Sequence, residues 1–397
     1  MIRVAYHRHI DPRVCVERCV ASLGMARPDL VLAFCGGKLD PDVVLPTLRD
    51  RLGGAPVYGG AAAGAITREA YGYSGLELLL VGFQGAEVTP RTVTQELGQD
   101  EEAAGRTLGA AVREVAAEDA VVVVLYDSVA SRPPLRLHPA SRIVRGFHEG
   151  LGGHRVCLLG GGLLTDMNLS DGWVFDGERC RHHLALALVF PPGIEAETVI
   201  LHGCRPVSTF MEITRIDGAE VYELDGMPAL GVIERMLGLP LGEAQGQELS
   251  LLATLGQKQG DPFAPYDENA YVNRLILRAN PETGSVTLFE PDFELGAKVQ
   301  IMGRDNSLML ESVTEGIAAL NEAVRDGDNL LALYIDCAGR ASARSGAPVE
   351  EAELVLRDFA PRIPFAGFYS GVEIAPFQGY SRPLDWTGVL SVLRRRA

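Results

Sequence analysis

One motif occurs three times in this chain, and it limits the fold more than any bulk property. "LVLAFCGGKLD" begins at Leu30, "VVVVLYDSVAS" at Val121 and "LLALYIDCAGR" at Leu330. Each is an apolar, β-rich run that breaks into small or polar residues. An apolar run without polar alternation suits a strand buried on both faces, and the break marks its entry into a loop. Each run is followed by a helical stretch: "PDVVLPTLRDRL", "PASRIVRGFHEGL" and "VEEAELVLRDFA". A short strand then meets glycines in "PVYGGAAAGAI", "RVCLLGGGLLTD" and "IPFAGFYSGVEI", and a further strand closes the unit in "LELLLVGF", "HLALALVF" and "WTGVLSVL".

A helix also precedes each unit. Ala104, Leu108, Val112 and Val115 share one helical face, as do Val313, Ile317, Leu320 and Val324, which is amphipathic spacing. The repeat therefore reads helix, strand, helix, strand, strand, strand. Two copies fill about the first 200 residues and one lies at the end. The segment between changes character. Asp217-Gly218 and Asp225-Gly226 punctuate short strands, "MPALGVIERMLG" reads as a short helix, and Asn280 to Gly284 turns another hairpin. Gln257 to Glu268 is the most loop-like stretch. The expected class is α/β, with mixed β-sheets, flanking helices and two halves, 1–200 and 201–397.

Composition excludes several roles. Of 397 residues, 47% are hydrophobic and 22% charged, an ordinary globular balance. The net charge of −16 argues against phosphate-backbone or anionic-membrane binding. No apolar run reaches the roughly 20 residues of a membrane helix, and "MIRVAYHRHIDPRV" lacks the apolar centre of a signal peptide. Seven scattered cysteines without a CxxC fit a reducing, cytoplasmic compartment. Cys15 and Cys19, four apart with no completing ligand, read as helix packing.

Glycine-rich strand ends suggest sites built on loops over a rigid sheet. The Gly59, Gly60 and Gly64 stretch could bring backbone N–H groups to an anion, or could simply turn tightly. It is neither a P-loop nor a dinucleotide fingerprint. Cys337 to Arg340 follows a buried strand, so Arg340 offers a fork of donors to a carboxylate ligand, or pairs with Glu373 or Asp336. Glu373 stands among apolar neighbours in "PFAGFYSGVEIAP", where a charge is costly unless paired. Phe368, Tyr369 and Gly371 beside it offer a ligand surface. Cys337 lacks an adjacent base, and no GxSxG, HExxH or ordered catalytic triad is visible. His138, His148, His182, His183 and His202 are the histidines open to axial ligation of a haem, and nothing in the sequence selects one.

The ordered set "DLVLAFCGG", "PVYGGAAAGAI", "LLGGGLLTD", "WVFDGE", "HGCRPV", "YELDGMPAL", "YVNRLIL", "ALYIDCAGR" and "PFAGFYSGVEIAP" resembles the FIST family of sensory domains, with its FIST-N and FIST-C halves. The resemblance implies a small ligand, with amino acids suggested, and coupling to histidine kinases, chemotaxis receptors or cyclic-nucleotide modules. No such module follows "VLRRRA", and the F-box of eukaryotic relatives is absent from the sequence. A related subfamily is described as binding haem and sensing nitric oxide. The expectation is a cytoplasmic sensor without a cofactor that binds an amino acid or small organic acid and signals to a separate partner, such as a histidine kinase. The rival readings are a haem-based sensor and an enzyme acting on a small carboxylate through Cys337 or Glu373.

Overall fold

The computed structural model describes residues 1–68, 70–238, 253–359 and 362–396. Three units share one plan. The first runs β1 (Ile2–Arg8), α1 (Pro12–Leu23), β2 (Leu30–Gly36), α2 (Pro41–Arg51), β3 (Val57–Ala62), a hairpin β4–β5 (Ala65–Thr67 and Tyr71–Gly72) and β6 (Glu77–Phe83). The second runs β7 (Arg91–Glu96), α3 (Glu101–Arg113), β8 (Ala120–Asp127), a ribbon β9–β10 (Val129–Ser131 and Arg136–Leu137), α4 (Ala140–Leu151), β11 (Val156–Leu163), a hairpin β12–β13 (Val174–Gly177 and Cys180–Arg181) and β14 (Leu184–Val189).

The third unit opens with β15 (Ile194–Leu201) and is then interrupted. The interruption holds β16 (Cys204–Pro206), β17 (Met211–Asp217), β18 (Glu220–Leu224), β19 (Met227–Pro228), α5 (Ala229–Leu237), β20 (Ala253–Lys258), β21 (Tyr271–Asn280), β22 (Ser285–Leu288) and β23 (Lys298–Arg304). The unit resumes with α6 (Asn306–Ala323), β24 (Asn329–Cys337), a one-turn α7 (Ser342–Ser345), α8 (Glu351–Phe359), β25 (Phe365–Ser370), the hairpin β26–β27 (Glu373–Phe377 and Tyr380–Leu384) and β28 (Gly388–Arg395).

The expected α/β class with repeated units is the one observed. Each repeat also carries an opening edge strand and an inserted hairpin that the sequence pattern does not mark. In every unit the second strand pairs in parallel with the third across a helical crossover: β2 with β3, β8 with β11, β24 with β25. The hairpins are exchanged in a ring. β12–β13 of the second unit extends the first sheet, β26–β27 of the third extends the second, and β4–β5 of the first extends the third.

Residue alternation explains why the repeated strands look uniformly apolar. Leu30, Leu32 and Phe34 face a core common to all three sheets, with Val121, Val123, Leu125, Leu331, Leu333 and Ile335. Val31, Ala33 and Cys35 face outward under α1 and α2, together with Cys15 and Cys19, and Val122 and Val124 lie under α3 and α4. Both faces are covered, so neither is polar.

The interruption is a closed barrel. Its strands follow the order β23-β17-β18-β22-β21-β20, and β20 pairs back onto β23. Ile213, Val221, Leu255, Ile276, Val286 and Ile301 fill it, and α5 adds Leu230 and Ile233. The hairpins and the short helix expected here are present; closure of the sheet is a feature of the tertiary structure. Residue 200, read as the boundary between halves, falls at the end of β15, just before the barrel. No helix among the described residues is long and apolar enough to cross a membrane.

Candidate functional site

A cavity of about 60 Å³ lies where the carboxyl ends of β11, β24 and β25 converge beneath the barrel. Carboxyl ends of parallel strands are where open α/β sheets hold ligands, because loops there are free to diverge. Cys337, Gly339, Ser370 and Gly371 form its floor; Leu164, Met167 and Leu169 come from the loop after β11. Trp386 and Arg344 close the sides, and Leu275 and Phe289 of the barrel form the roof.

A buried arginine and a buried glutamate hold that roof. Arg274, beside Leu275, is fully buried and bonds both oxygens of Asp292 at 2.7 and 2.5 Å; it also lies 3.6 Å from Asp385 and donates to the Pro383 carbonyl at 3.2 Å. Asp385 in turn accepts the Leu275 N–H at 3.0 Å. Glu290, beside Phe289, accepts the N–H groups of Ala140 and Ser141 at 3.0 and 2.8 Å. Those are orphan donors at the start of α4, where Pro139 offers no side-chain cap. Leu275 and Phe289 are themselves joined by a 3.0 Å backbone bond.

Trp386 has φ +59 and is almost fully buried. Such a conformation costs a bulky residue about 1–3 kcal/mol, so the surroundings must enforce it. Arg304 lies over its indole ring, a cation–π contact that helps fix the ring in the cavity wall.

Arg344 is the half-buried cationic head of the site. One terminal nitrogen donates to the Asn168 side chain at 2.6 Å and to the Met167 carbonyl at 3.1 Å. It lines the cavity and makes no ion pair among the described residues.

The candidates named from sequence separate sharply. Cys337 and Gly371 line the cavity. Burial, then the nearby Glu373, pushes the Cys337 thiol well above its ordinary range, so it is not a thiolate. Arg340 lies below the floor, fully buried. Its fork binds Glu351 at 3.0 and 2.7 Å, with Asp336 at 3.5 Å, and another nitrogen donates to the carbonyls of His202 and Trp386 at 2.8 and 3.2 Å. Arg340 therefore does not face a ligand, and it does not pair with Glu373.

Glu373 is also fully buried. Its carboxyl group bonds Ser370 Oγ at 2.6 Å and Thr387 Oγ at 3.1 Å. Burial raises its pKa to about 8, the charge of Asp385 adds to the rise, and the two hydroxyls oppose it. Burial and Asp385 likewise raise Glu290 to about 8, and burial raises Asp385 to about 6 against the pull of Arg274. The cost of burying Glu373 is thus met by neutralisation, not by an arginine.

Phe368 and Tyr369 are core residues, not a ligand surface. Phe368 stacks on Phe34 with ring centres 4.4 Å apart, and the Tyr369 hydroxyl donates to Glu350 at 3.0 Å. Gly59 and Gly60 lie inside β3, not in a turn. Gly59 has φ +104, and a Cβ there would stand 2.4 Å from the Ala33 carbonyl oxygen. The glycine admits the neighbouring strand. Gly64 accepts the Tyr369 N–H at 3.1 Å and binds the first unit to the third. None of these three glycines lines the cavity.

Of the histidines, His138 sits between Glu101 and His183, at 3.1 and 3.0 Å, and borders a small void next to the cavity. His148 bonds the Ser381 carbonyl, His182 the Gly172 carbonyl, and His202 is sealed in the interior. Arg344, Trp386, Leu275 and Phe289 are absent from the residues singled out in the sequence. Only Arg344 left a trace there, as a second arginine one helical turn beyond Arg340.

Comparison with known proteins agrees with the resemblance. A model of the FIST N domain matches residues 29–227 and one of the FIST C domain matches residues 229–376. An uncharacterized protein of Mycobacterium tuberculosis strain H37Rv is 29% identical over 203 residues, covering 51% of each chain. An uncharacterized protein of Mycobacterium bovis is 28% identical over 197 residues, covering 47% of this chain and 48% of its own. The chain thus spans about half the length of the curated relatives it matches. Among solved structures, a chorismatase aligns with TM-score 0.35 at 10% identity over 99% of this chain and 98% of its own. A cyanuric acid hydrolase from A. caulinodans aligns with TM-score 0.31 at 10% identity over both whole chains. Neither score is high enough to inform function.

Proposed function

The chain belongs to the FIST family, whose domains are sensory domains of signal transduction, and from that premise we propose that it senses a small carboxylate, an amino acid or organic acid, in the cavity under the barrel. The observation that carries this reading is Arg344, a half-buried cation without an acidic partner at the mouth of an otherwise apolar cavity. A guanidinium fork matches a carboxylate in two-point geometry. The apolar walls suit a short aliphatic remainder, and Cys337, held protonated, is a wall and not a nucleophile.

The cavity is small, about 60 Å³. An acid of more than a few heavy atoms displaces the roof at Leu275 and Phe289. Occupancy is thereby converted into movement of the barrel, which a separate signalling protein such as a histidine kinase reads. The seven cysteines form no disulfide, which suits a cytoplasmic setting.

The test is thermal unfolding with glycine, alanine, acetate and lactate, in wild type and Arg344→Met. A ligand that binds only the folded chain stabilises it by about 2.7 kcal/mol at a hundredfold excess over Kd. A rise in Tm with at least one acid that is lost in Arg344→Met supports the reading. An equal rise in both proteins, or none with any acid, overturns it.

A further inference from the structure

A separate feature lies at the open edge of the first sheet. β1 pairs with β6 and ends its sheet. Met1 and Gln84 exchange backbone bonds at 2.5 and 2.9 Å, and the His9 N–H reaches the Leu76 carbonyl at 3.2 Å. Bonded and non-bonded pairs alternate along an antiparallel ladder. Arg3, Ala5 and His7 therefore aim their backbone groups at β6, and Ile2, Val4 and Tyr6 aim theirs outward.

A groove of about 420 Å³ runs along this edge. Residues 2 to 6 all line it, without a gap. The face of a strand presents only every second residue, so the groove meets the unpaired edge itself. Three arginines, Arg3, Arg68 and Arg362, stand around it, all exposed. Arg3 donates to the Gly24 carbonyl at 2.9 Å and Arg362 to the Asn321 side chain at 2.7 Å. None of the three pairs with a carboxylate among the described residues. Local charge is thus opposite to that of the chain, which is −16 overall.

We propose that this groove takes an extended, acidic segment of a separate protein, added to the first sheet as a strand beside β1. Strand addition draws affinity from the outward backbone groups of Ile2, Val4 and Tyr6, and side-chain chemistry sets its selectivity. The arginines select carboxylates. They also disfavour a second copy of this chain, because two-fold pairing of β1 with β1 would bring three arginines against three others. This surface is distinct from the ligand cavity, and its use does not depend on what the cavity holds.

The test uses the full chain and a fluorescein-labelled heptapeptide of alternating valine and glutamate, with an alternating valine–lysine peptide as control, read by fluorescence polarisation. The glutamate peptide binds, more weakly as salt rises, and the lysine peptide does not. Val4→Pro abolishes binding, because its N–H faces outward and proline there removes a donor to the peptide without breaking the ladder to β6. Arg68→Glu changes an exposed side chain and weakens binding about tenfold even should the proline variant fold poorly. Equal binding of both peptides, or wild-type affinity in Arg68→Glu, overturns the proposal. So does a dimer in sedimentation velocity that Val4→Pro dissolves, since the edge would then serve a second copy.

Discussion

The guanidinium of Arg340 forks onto the carboxylate of Glu351, Nε 3.0 Å from one oxygen and a terminal nitrogen 2.7 Å from the other, with both side chains fully buried. This pair ties the loop after β24 to the start of α8. Through the carbonyls of His202 and Trp386 it also fixes the end of β15 and the turn before β28. Arg340 is therefore a strut beneath the cavity, and Arg344 is the arginine that lines it.

Removing one member of that pair strands the other. Arg340→Met and Glu351→Gln are each expected to cost about 3–5 kcal/mol, and the double variant less than their sum. Glu373→Gln combined with Arg340→Met is expected to depart less from additivity, because these side chains meet only through the Trp386–Thr387 peptide group. Urea unfolding of the three single and two double variants checks both statements. Additivity of the Arg340–Glu351 pair would show that the fork carries no coupling.

Glu373 gives stability a definite pH slope. Its pKa rises from 4.5 unfolded to about 8 folded, so the folded chain holds the proton more tightly. Its contribution is fully present below about pH 4.5 and is lost as pH rises through about 8. The loss approaches about 5 kcal/mol. Glu290, shifted in the same direction, adds to the slope. Glu373→Gln, which keeps a neutral hydrogen-bonding side chain, is expected to flatten stability between pH 5 and 8 and to exceed wild type at the upper end. An unchanged slope in urea unfolding across that range would rule out Glu373 as its source.

The α3–α4 contact depends on glycine for space. A Cβ at Gly146 would stand 2.0 Å from the Glu102 carbonyl oxygen, and one at Gly109 would stand 2.1 Å from that of Phe147. Alanine at either position gains about 1 kcal/mol of helix propensity. The helices must nevertheless separate, and overpacking costs about 1–3 kcal/mol or more. Gly146→Ala is expected to lower Tm; a rise would mean that the helices part without penalty.

The chain has two tryptophans, Trp173 and Trp386. In Trp173→Phe the remaining indole belongs to the cavity wall. Its emission is expected to change on adding the acid that raises Tm, and not to change in the same background with Arg344→Met. A ligand that raises Tm without altering that emission binds elsewhere.

Much of this architecture is legible in the order of residues. The runs at Leu30, Val121 and Leu330 are strands because both faces need apolar side chains, and the helices at Ala104 and Val313 show their buried stripe directly. These are local properties, set by a period of two or 3.6 residues along the chain. Cys337 and Gly371 reached the cavity for the same reason: they stand where apolar strands end and loops begin. The tertiary structure decided the rest. Arg340 and Arg344 lie four residues apart after β24, yet one is sealed against Glu351 and the other lines the cavity. Glu373 looked like half of an ion pair, and its side-chain partners are the hydroxyls of Ser370 and Thr387, with burial and not an arginine deciding its protonation. Leu275 and Phe289 became a roof only because a barrel closes between β15 and α6 and is anchored through Arg274 and Glu290. Each of these outcomes depends on contacts between residues tens to hundreds of positions apart, and periodicity along the chain records nothing about which distant surface will bury a given side chain.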